Sequence, residues 1–318
     1  MLDFIHNDPE FKDLISIVSA HHKGLDITLI EKDYWIMHVL YSLQQQNIEF
    51  ELKGGTSLSK GYRLIHRFSE DIDIHIRTYF GLTVEGKEDK PQIKTARKAF
   101  YDTFANYLNI NGITEIKRDY EFDDLDKYRS GGIRLFYESY TPALEGLKDG
   151  ILLEAGFDTV TPNSPIDISS WIWDYLALIG ASHRYINNTA PRVLCYHPGY
   201  TLVEKLQTIV RKFRNMDKVG SSAAKNFMRQ YYDVYCLLDS PEIQSFIGSA
   251  EYIAHKMTRI KGADLEIPLN EHPALFLANP EVRSDFRARY EATSSLYYKG
   301  QPSFDEVCSR IQSYAHRF

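Results

Sequence analysis

Cysteine is scarce in this sequence. The 318 residues include three cysteines, Cys195, Cys236 and Cys308. An odd number cannot all pair within one chain, and none of the three belongs to a Cys-x-x-Cys pair, so the pattern argues against a disulfide framework and against a zinc site. The adjacent His21 and His22 would point in different directions on a helix, and we interpret them as solvated surface residues.

Long apolar runs and an excess of positive charge are also missing. No stretch approaches the roughly 20 apolar residues that span a bilayer, and the mean hydropathy is −0.36. The first residues include acids where a secretory signal has a basic and then an apolar region. We therefore expect a cytoplasmic protein that does not enter a membrane. With a net charge of −6, the molecule as a whole does not attract nucleic acid, although a local basic groove would be enough to bind it.

The composition is that of a globular protein, and the length suits two lobes. Hydrophobic residues make up 43% and charged residues 25% of the chain, which are ordinary values. Residues 10–22 and 28–44 repeat apolar side chains at helical spacing, and the chain after about residue 168 is mostly helical in pattern. We predict an α+β protein, with a mixed sheet flanked by helices in residues 1–165 and a helical domain in residues 166–318. The boundary between them lies somewhere in 165–200.

A strand, a glycine turn, a helix and a second strand follow one another in the first domain. Apolar and polar residues alternate in 48–53, which predicts a strand with one buried face. This strand runs into Gly54-Gly55, and residues 56–68 have the pattern of a helix. Alternation resumes in 71–76 and predicts the second strand.

Two acids one residue apart lie on this second strand. Asp71 and Asp73 project from the same face, where they repel each other unless a cation lies between them. Oxygen-rich sites of this kind suit Mg²⁺, which also takes phosphate oxygens and water as ligands. An Asp-x-Asp pair alone is weak evidence, because solvated strand faces often carry one.

The glycine turn before the helix strengthens the case for a phosphate site. Gly54 and Gly55 let the backbone approach a phosphate closely, and the start of a helix favours an anion. Thr56 and Ser57 add hydroxyl donors. A plain tight turn would explain the glycines but not the acids beside them. The segment is not a P-loop, because glycine does not precede Lys60 and neither serine nor threonine follows it.

The run from Lys53 to Ile74, KGGTSLSKGYRLIHRFSEDIDI, resembles the signature of the AbiEii family. These are nucleotidyltransferase-like toxins of type IV toxin–antitoxin systems and belong to the DNA polymerase β superfamily, whose pattern is Gly-[Gly/Ser], a spacer and Asp-x-[Asp/Glu]. Fifteen residues separate Gly55 from Asp71. This spacer is long for the superfamily but normal for AbiEii-like sequences. The resemblance implies a polymerase β-like core followed by a helical lobe.

Three further segments resemble helices of the same family. Residues 30–40 are similar to its Glu-Lys-Asp helix, 200–214 to its Glu-Lys-Leu helix and 229–238 to its Arg-Asp-x-Tyr-Asp-Leu helix. In the last of these, Gln230 replaces the first aspartate, which puts any role of that aspartate in doubt. After residue 240 we recognise nothing.

The resemblance also implies roles for single residues. Lys205 is similar to the family lysine near the nucleotide phosphates, and Asp233 to the late aspartate of the active site. Without the resemblance, they would be a solvated lysine and a helix acid. The resemblance implies that the helical domain contributes both residues to the cleft. A third carboxylate is usual on a neighbouring strand, and alternating apolar residues predict strands at 133–137 and 151–155. We choose Glu154, an acid among apolar residues that needs a partner such as a metal, over Asp158.

Taken together, the resemblance implies Mg²⁺-dependent transfer of a nucleotide from a nucleoside triphosphate to an acceptor hydroxyl. Asp71, Asp73 and Glu154 would hold the metal. A tRNA 3′ end is the acceptor that it suggests, and an AbiEi-like antitoxin is the partner. A small-molecule nucleotidyltransferase, a phosphotransferase and a non-catalytic nucleotide-binding regulatory module remain open as alternatives.

Overall fold

The structure is a computed structural model that describes residues 2–84, 90–158, 160–216 and 226–318. The chain forms two compact units. The first comprises Met1–Gly61 and Ser69–Tyr196, and the second comprises Tyr62–Phe68 and His197–Phe318. Among the described residues, no helix is both long enough and apolar enough to cross a membrane.

A mixed sheet is the centre of the first unit. Its strands, within the described residues, are β1 (Phe50–Lys53), β2 (Asp71–Ile76), β3 (Ile113–Asp119), β4 (Ser130–Tyr137), β5 (Ile151–Gly156), β6 (Asn163–Ile168) and β7 (Ala190–Tyr196). They are arranged in the order β3-β4-β5-β2-β1-β7-β6. β2 is parallel to β5 and β1 is parallel to β7, whereas the other neighbouring pairs are antiparallel.

The alternation predicted for β2 separates the two faces of the sheet. Ile72, Ile74 and Ile76 are completely buried, because successive side chains of a strand point to opposite faces. Asp71 and Asp73 are half-buried on the other face. Burial of the apolar set fixes the register, since a slip by one residue would bury the acids and expose the isoleucines.

Within the described residues, five α-helices accompany the sheet in the first unit: α1 (Phe11–His21), α2 (Ile27–Gln45), α3 (Gly54–Thr56), α4 (Pro91–Tyr107) and α5 (Trp171–Leu178). The first two confirm the helices predicted at 10–22 and 28–44. Asp26 caps α2 by accepting a hydrogen bond from the Thr28 main-chain N–H at 2.8 Å, which satisfies one of the unpaired donors of its first turn.

The helix predicted at 56–68 is much shorter than expected. After α3 the chain makes a π-helical turn over Ser57–Gly61 and then leaves helical geometry. Residues 62–68 belong instead to the second unit, where the Phe68 main-chain N–H donates to the Leu296 carbonyl at 2.7 Å and Arg67 forms a β-bridge with Tyr297. Pairing distant in sequence therefore decides the end of this helix.

Three strands and the end of the first unit differ from the sequence prediction. β3, β6 and β7 were not predicted as strands, and the boundary placed at residue 165 falls inside β6. The first unit continues to Tyr196 because β7 pairs with β1 and β6 covers its outer edge. The polar residues 84–95 predict a loop, but part of this range lies outside the described residues, and helix α4 already begins at Pro91.

The second unit is mostly helical, as predicted. Its described helices are α6 (Pro198–Arg214), α7 (Arg229–Leu237), α8 (Pro241–Phe246), α9 (Ala250–Arg259), α10 (Pro273–Phe276), α11 (Pro280–Glu291) and α12 (Phe304–Tyr314). A mixed sheet flanked by helices, followed by a mostly helical C-terminal part, confirms the predicted α+β class. All three cysteines are buried with free thiols, in agreement with the absence of a disulfide framework.

Candidate active site

Three carboxylates lie on one face of the sheet, on two adjacent strands. Asp73 of β2 is directly opposite Glu154 of β5, and it is opposite Lys53 of β1 on its other side. Asp71 precedes Asp73 by two residues and therefore shares this face. Neighbouring strands lie about 4.8 Å apart, so the strand order alone brings Glu154 beside the two predicted acids.

The glycine turn is in direct contact with Asp73. Gly54 has φ +69°, and a Cβ added to it would lie 2.2 Å from Oδ2 of Asp73. Only a residue without a side chain fits at this point, for steric as well as conformational reasons. The phosphate-binding turn and the acid pair predicted from the sequence therefore converge on one place in the first unit.

The hydroxyl groups of the turn face into the protein. Thr56 is completely buried and its hydroxyl donates to the main-chain carbonyl of Asp71, so it fastens the turn to the start of β2. Ser57 is also completely buried, beside the Cys195 thiol. A role of Thr56 and Ser57 in nucleotide binding stays a prediction. In that prediction, Gly54 and Gly55 let the backbone approach the phosphates closely.

Burial and a neighbouring acid both oppose the ionisation of Glu154. Burial raises the pKa of its carboxyl, and the nearby Asp73 carboxylate raises that pKa further. A cation between the two strands would relieve this repulsion. Among the described residues, no set of three or more His, Cys, Asp or Glu side chains is gathered closely enough to form a complete metal site. The donor set fits Mg²⁺, which takes one or two carboxylates and completes its shell with substrate phosphates and water.

Two cations beside the acids were not identified from the sequence. Lys53 is the cross-strand neighbour of Asp73, and the alternation of β1 would have placed it on this face. The Lys148 ammonium lies 3.6 Å from Oδ2 of Asp71. Lys148 sits in the connection between β4 and β5, where no sequence pattern indicates the direction of a side chain.

Lys205 and Asp233 are brought together in the second unit. Nζ of Lys205 lies 2.7 Å from Oδ2 of Asp233 and donates to Oε1 of Gln230 at 3.0 Å. Arg67 donates from Nε and Nη2 to the two oxygens of Asp233, both at 2.7 Å. Gln230 thus contacts the predicted phosphate lysine at the position where the family pattern has an aspartate.

Asp233 is completely buried. Burial opposes its ionisation, but Arg67 and Lys205 outweigh this effect and lower the pKa of Asp233 below its ordinary value. In this arrangement the carboxylate holds two cations in place. Arg67 was not predicted, because nothing in the sequence connects it with a residue 166 positions later.

An Asp-x-Asp strand packed against a glycine turn, with a third acid on the adjacent strand, defines the class of this protein as a nucleotidyltransferase. The chain matches the family described as nucleotidyl transferase AbiEii toxin, type IV TA system, over residues 36–310. It therefore belongs to the AbiEii family, as the resemblance of residues 53–74 implies.

Other comparisons show only distant similarity. The chain is similar to the crystal structure of an antigenic nucleotidyltransferase-like protein from Paracoccidioides brasiliensis, with 14% sequence identity and a TM-score of 0.30. That similarity covers 87% of this chain and 96% of the other. No curated protein shows a significant match to this chain.

Proposed function

We propose that this nucleotidyltransferase uses Mg²⁺ to transfer a nucleoside monophosphate from a nucleoside triphosphate to an acceptor hydroxyl, with a tRNA 3′ end as the acceptor. The contact between Gly54 and the Asp73 carboxylate carries the proposal. Because of this contact, the backbone that a phosphate chain can approach and the acid proposed to bind the metal lie in one small region. Released pyrophosphate is the second product.

Asp71, Asp73 and Glu154 are the residues that would hold the metal. Bound there, Mg²⁺ would neutralise charge on the phosphates and favour in-line attack on the α-phosphorus. Gly54 and Gly55 leave room for the phosphate chain against the backbone. Glu154 is the carboxylate proposed to accept the proton of the attacking hydroxyl, because it faces Asp73 across the strands.

Two further roles are proposed in the second unit, on the basis of the family motifs. Lys205 binds the nucleotide phosphates and Asp233 orients it. The ion pair between them, 2.7 Å long, supports the second assignment. The acceptor and the partner are inferred from family membership: a toxin of a type IV system acts beside an antitoxin, and we propose that this antitoxin is AbiEi-like.

The test is to incubate the protein with nucleoside triphosphates labelled at the α-phosphate, Mg²⁺ and total RNA. We expect label in RNA of tRNA length and loss of labelling in Asp73→Asn. The matched control is Asp126→Asn, which removes an acid whose side chain is 76% exposed in the same unit. This control should label RNA at the rate of the wild type.

Other outcomes would replace the proposal. Label on a small molecule instead of RNA would indicate a small-molecule nucleotidyltransferase. Transfer of a γ-phosphate label would indicate a phosphotransferase. Nucleotide binding without any transfer would indicate a regulatory module.

A further inference from the structure

Lys148 has an unusually well-anchored main chain for a residue in a connecting loop. Its N–H donates to Oε2 of Glu70 at 2.8 Å, and its carbonyl accepts a hydrogen bond from Nζ of Lys32. Lys32 and Glu70 are both 2% exposed, and their charged groups lie 3.6 Å apart. The peptide groups on both sides of the Lys148 Cα are therefore held by one buried ion pair.

The anchoring of this loop explains why α2 carries buried charged residues. A buried ion pair is costly to desolvate and is tolerated when further hydrogen bonds satisfy its members. Here, Lys32 and Glu70 each use such a bond on Lys148. Glu31 accepts hydrogen bonds from Ser139 and Thr141 of the same connection. Two neighbouring charges of one helix therefore fix both ends of the loop that leads from β4 to β5.

The side chain of Lys148 is directed towards the acid pair. Its ammonium lies 3.6 Å from Oδ2 of Asp71 and 4.3 Å from the centre of the Phe122 ring. The stacked cation is stabilised by the ring, and 30% of the side chain remains exposed. The main chain of Lys148 fixes the position of its ammonium group, which is open to solvent beside Asp71. The ammonium group can therefore contact a ligand that reaches the carboxylates.

We propose that Lys148 is a substrate-binding residue that contacts the phosphate chain of the nucleotide. The inference rests on the proposed function. Once a divalent cation occupies the carboxylates, attraction between Asp71 and Lys148 weakens, while the highly charged phosphate chain arrives at the same place. The ammonium has three donors and serves as a point charge for phosphate. Lys32 and Glu70 are then positioning residues, which act through the main chain of Lys148.

The experiment uses inorganic tripolyphosphate with Mg²⁺ as a probe, so that base preference does not matter, and measures binding to the full chain by calorimetry. Lys148→Met should bind it about tenfold to a hundredfold more weakly than the wild type, the loss expected for one charged hydrogen bond. Lys148→Arg should restore most of the affinity. The matched control is Lys117→Met, on the same face of the sheet but three strands from Asp71, or about 14 Å away.

Binding of Mn²⁺ alone distinguishes a phosphate contact from a general loss of structure. Lys148→Met removes a cation that lies beside Asp71, so we expect Mn²⁺ to bind as tightly as to the wild type, or more tightly. A misfolded variant would lose both ligands. Simultaneous loss of Mn²⁺ and tripolyphosphate binding would therefore overturn the proposed contact and leave Lys148 a structural residue.

The proposal and the underlying function can fail separately. If the wild type binds tripolyphosphate and labels RNA, but Lys148→Met binds the probe equally well, the role of Lys148 is refuted and nucleotidyl transfer stands. If the wild type neither binds tripolyphosphate nor transfers a nucleotide to any acceptor, both proposals fall.

Discussion

Asp73 and Glu154 stand directly opposite each other on neighbouring parallel strands. The two carboxylates repel each other in the absence of a cation, so the folded protein is less stable than it would be without one of them. Sites of this kind trade stability for function. Removing one charge should reveal that cost.

Glu154→Gln should stabilise the metal-free protein. We expect its free energy of unfolding in EDTA to rise by about 1 kcal/mol, because the mutation removes a buried like-charge neighbour. Mg²⁺ should stabilise the wild type more than the variant, since a ligand stabilises the state that binds it. Urea unfolding with and without Mg²⁺ measures both effects.

Asp158→Asn, which changes an acid with a 47% exposed side chain, is the control for Glu154→Gln. Equal Mg²⁺ stabilisation of wild type and Glu154→Gln would show that Glu154 is not a ligand.

Gly54→Ala should inactivate the enzyme beyond its effect on stability. The new methyl group would overlap Oδ2 of Asp73, so the carboxylate must move. Gly180→Ala is a close control, because Gly180 has φ +72° and nothing within 4 Å of an added Cβ. Both variants should lose about 1 kcal/mol of stability from the left-handed backbone. Only Gly54→Ala should reduce RNA labelling by more than about a hundredfold. Similar activity in the two variants would contradict the role of this contact.

Asp233→Asn should be strongly destabilising. It leaves the buried Arg67 and Lys205 without their counter-charge, and breaking a buried ion pair in this way costs about 3–5 kcal/mol. Lys205→Met should cost less, because Asp233 keeps both hydrogen bonds to Arg67. Asp239→Asn, whose side chain is 64% exposed, should change stability by less than about 0.5 kcal/mol. Urea unfolding of the three variants gives the ranking. An Asp233→Asn protein as stable as Lys205→Met would mean that Asp233 is not the centre of this cluster.

Stability should fall as the pH drops below about 6.5. His38 is completely buried in the first unit, next to His6 and Tyr34. Its Nδ1 accepts from the Asn188 amide and its Nε2 donates to the Asn111 carbonyl, both at 3.0 Å. Burial, followed by the charge of His6, lowers the pKa of His38 to about 3. The unfolded chain therefore binds a proton that the folded chain excludes, and the stabilisation present above pH 6.5 is lost as the pH falls towards 3.

The measurement is the free energy of unfolding at several pH values between 7 and 5. One such group contributes a slope of up to about 1.4 kcal/mol per pH unit. His38→Gln should reduce the slope by this amount, whereas His21→Gln, at an exposed position, should keep the wild-type slope. An unchanged slope in His38→Gln would show that this histidine is not the proton-linked group.

Local sequence patterns predicted part of the fold correctly. The helices α1 and α2 and the strands β1, β2, β4 and β5 follow from apolar side chains at helical or alternating spacing, because burial of one face enforces those periods. The edge strands β3 and β6 were not predicted, and the reason is physical. β3 has no fully buried residue and few apolar residues to alternate, and β6 contains Pro165, which an edge strand tolerates.

The sequence by itself determined that Asp71 and Asp73 share a strand face and that a glycine turn precedes them, since both depend on neighbours in the chain. Only the tertiary structure decided that β2 lies between β5 and β1, which places Glu154 and Lys53 on either side of Asp73. It also decided that Arg67 pairs with Asp233 and that Lys148 reaches Asp71. Such contacts depend on strand order and on packing between distant segments, and no local periodicity encodes either.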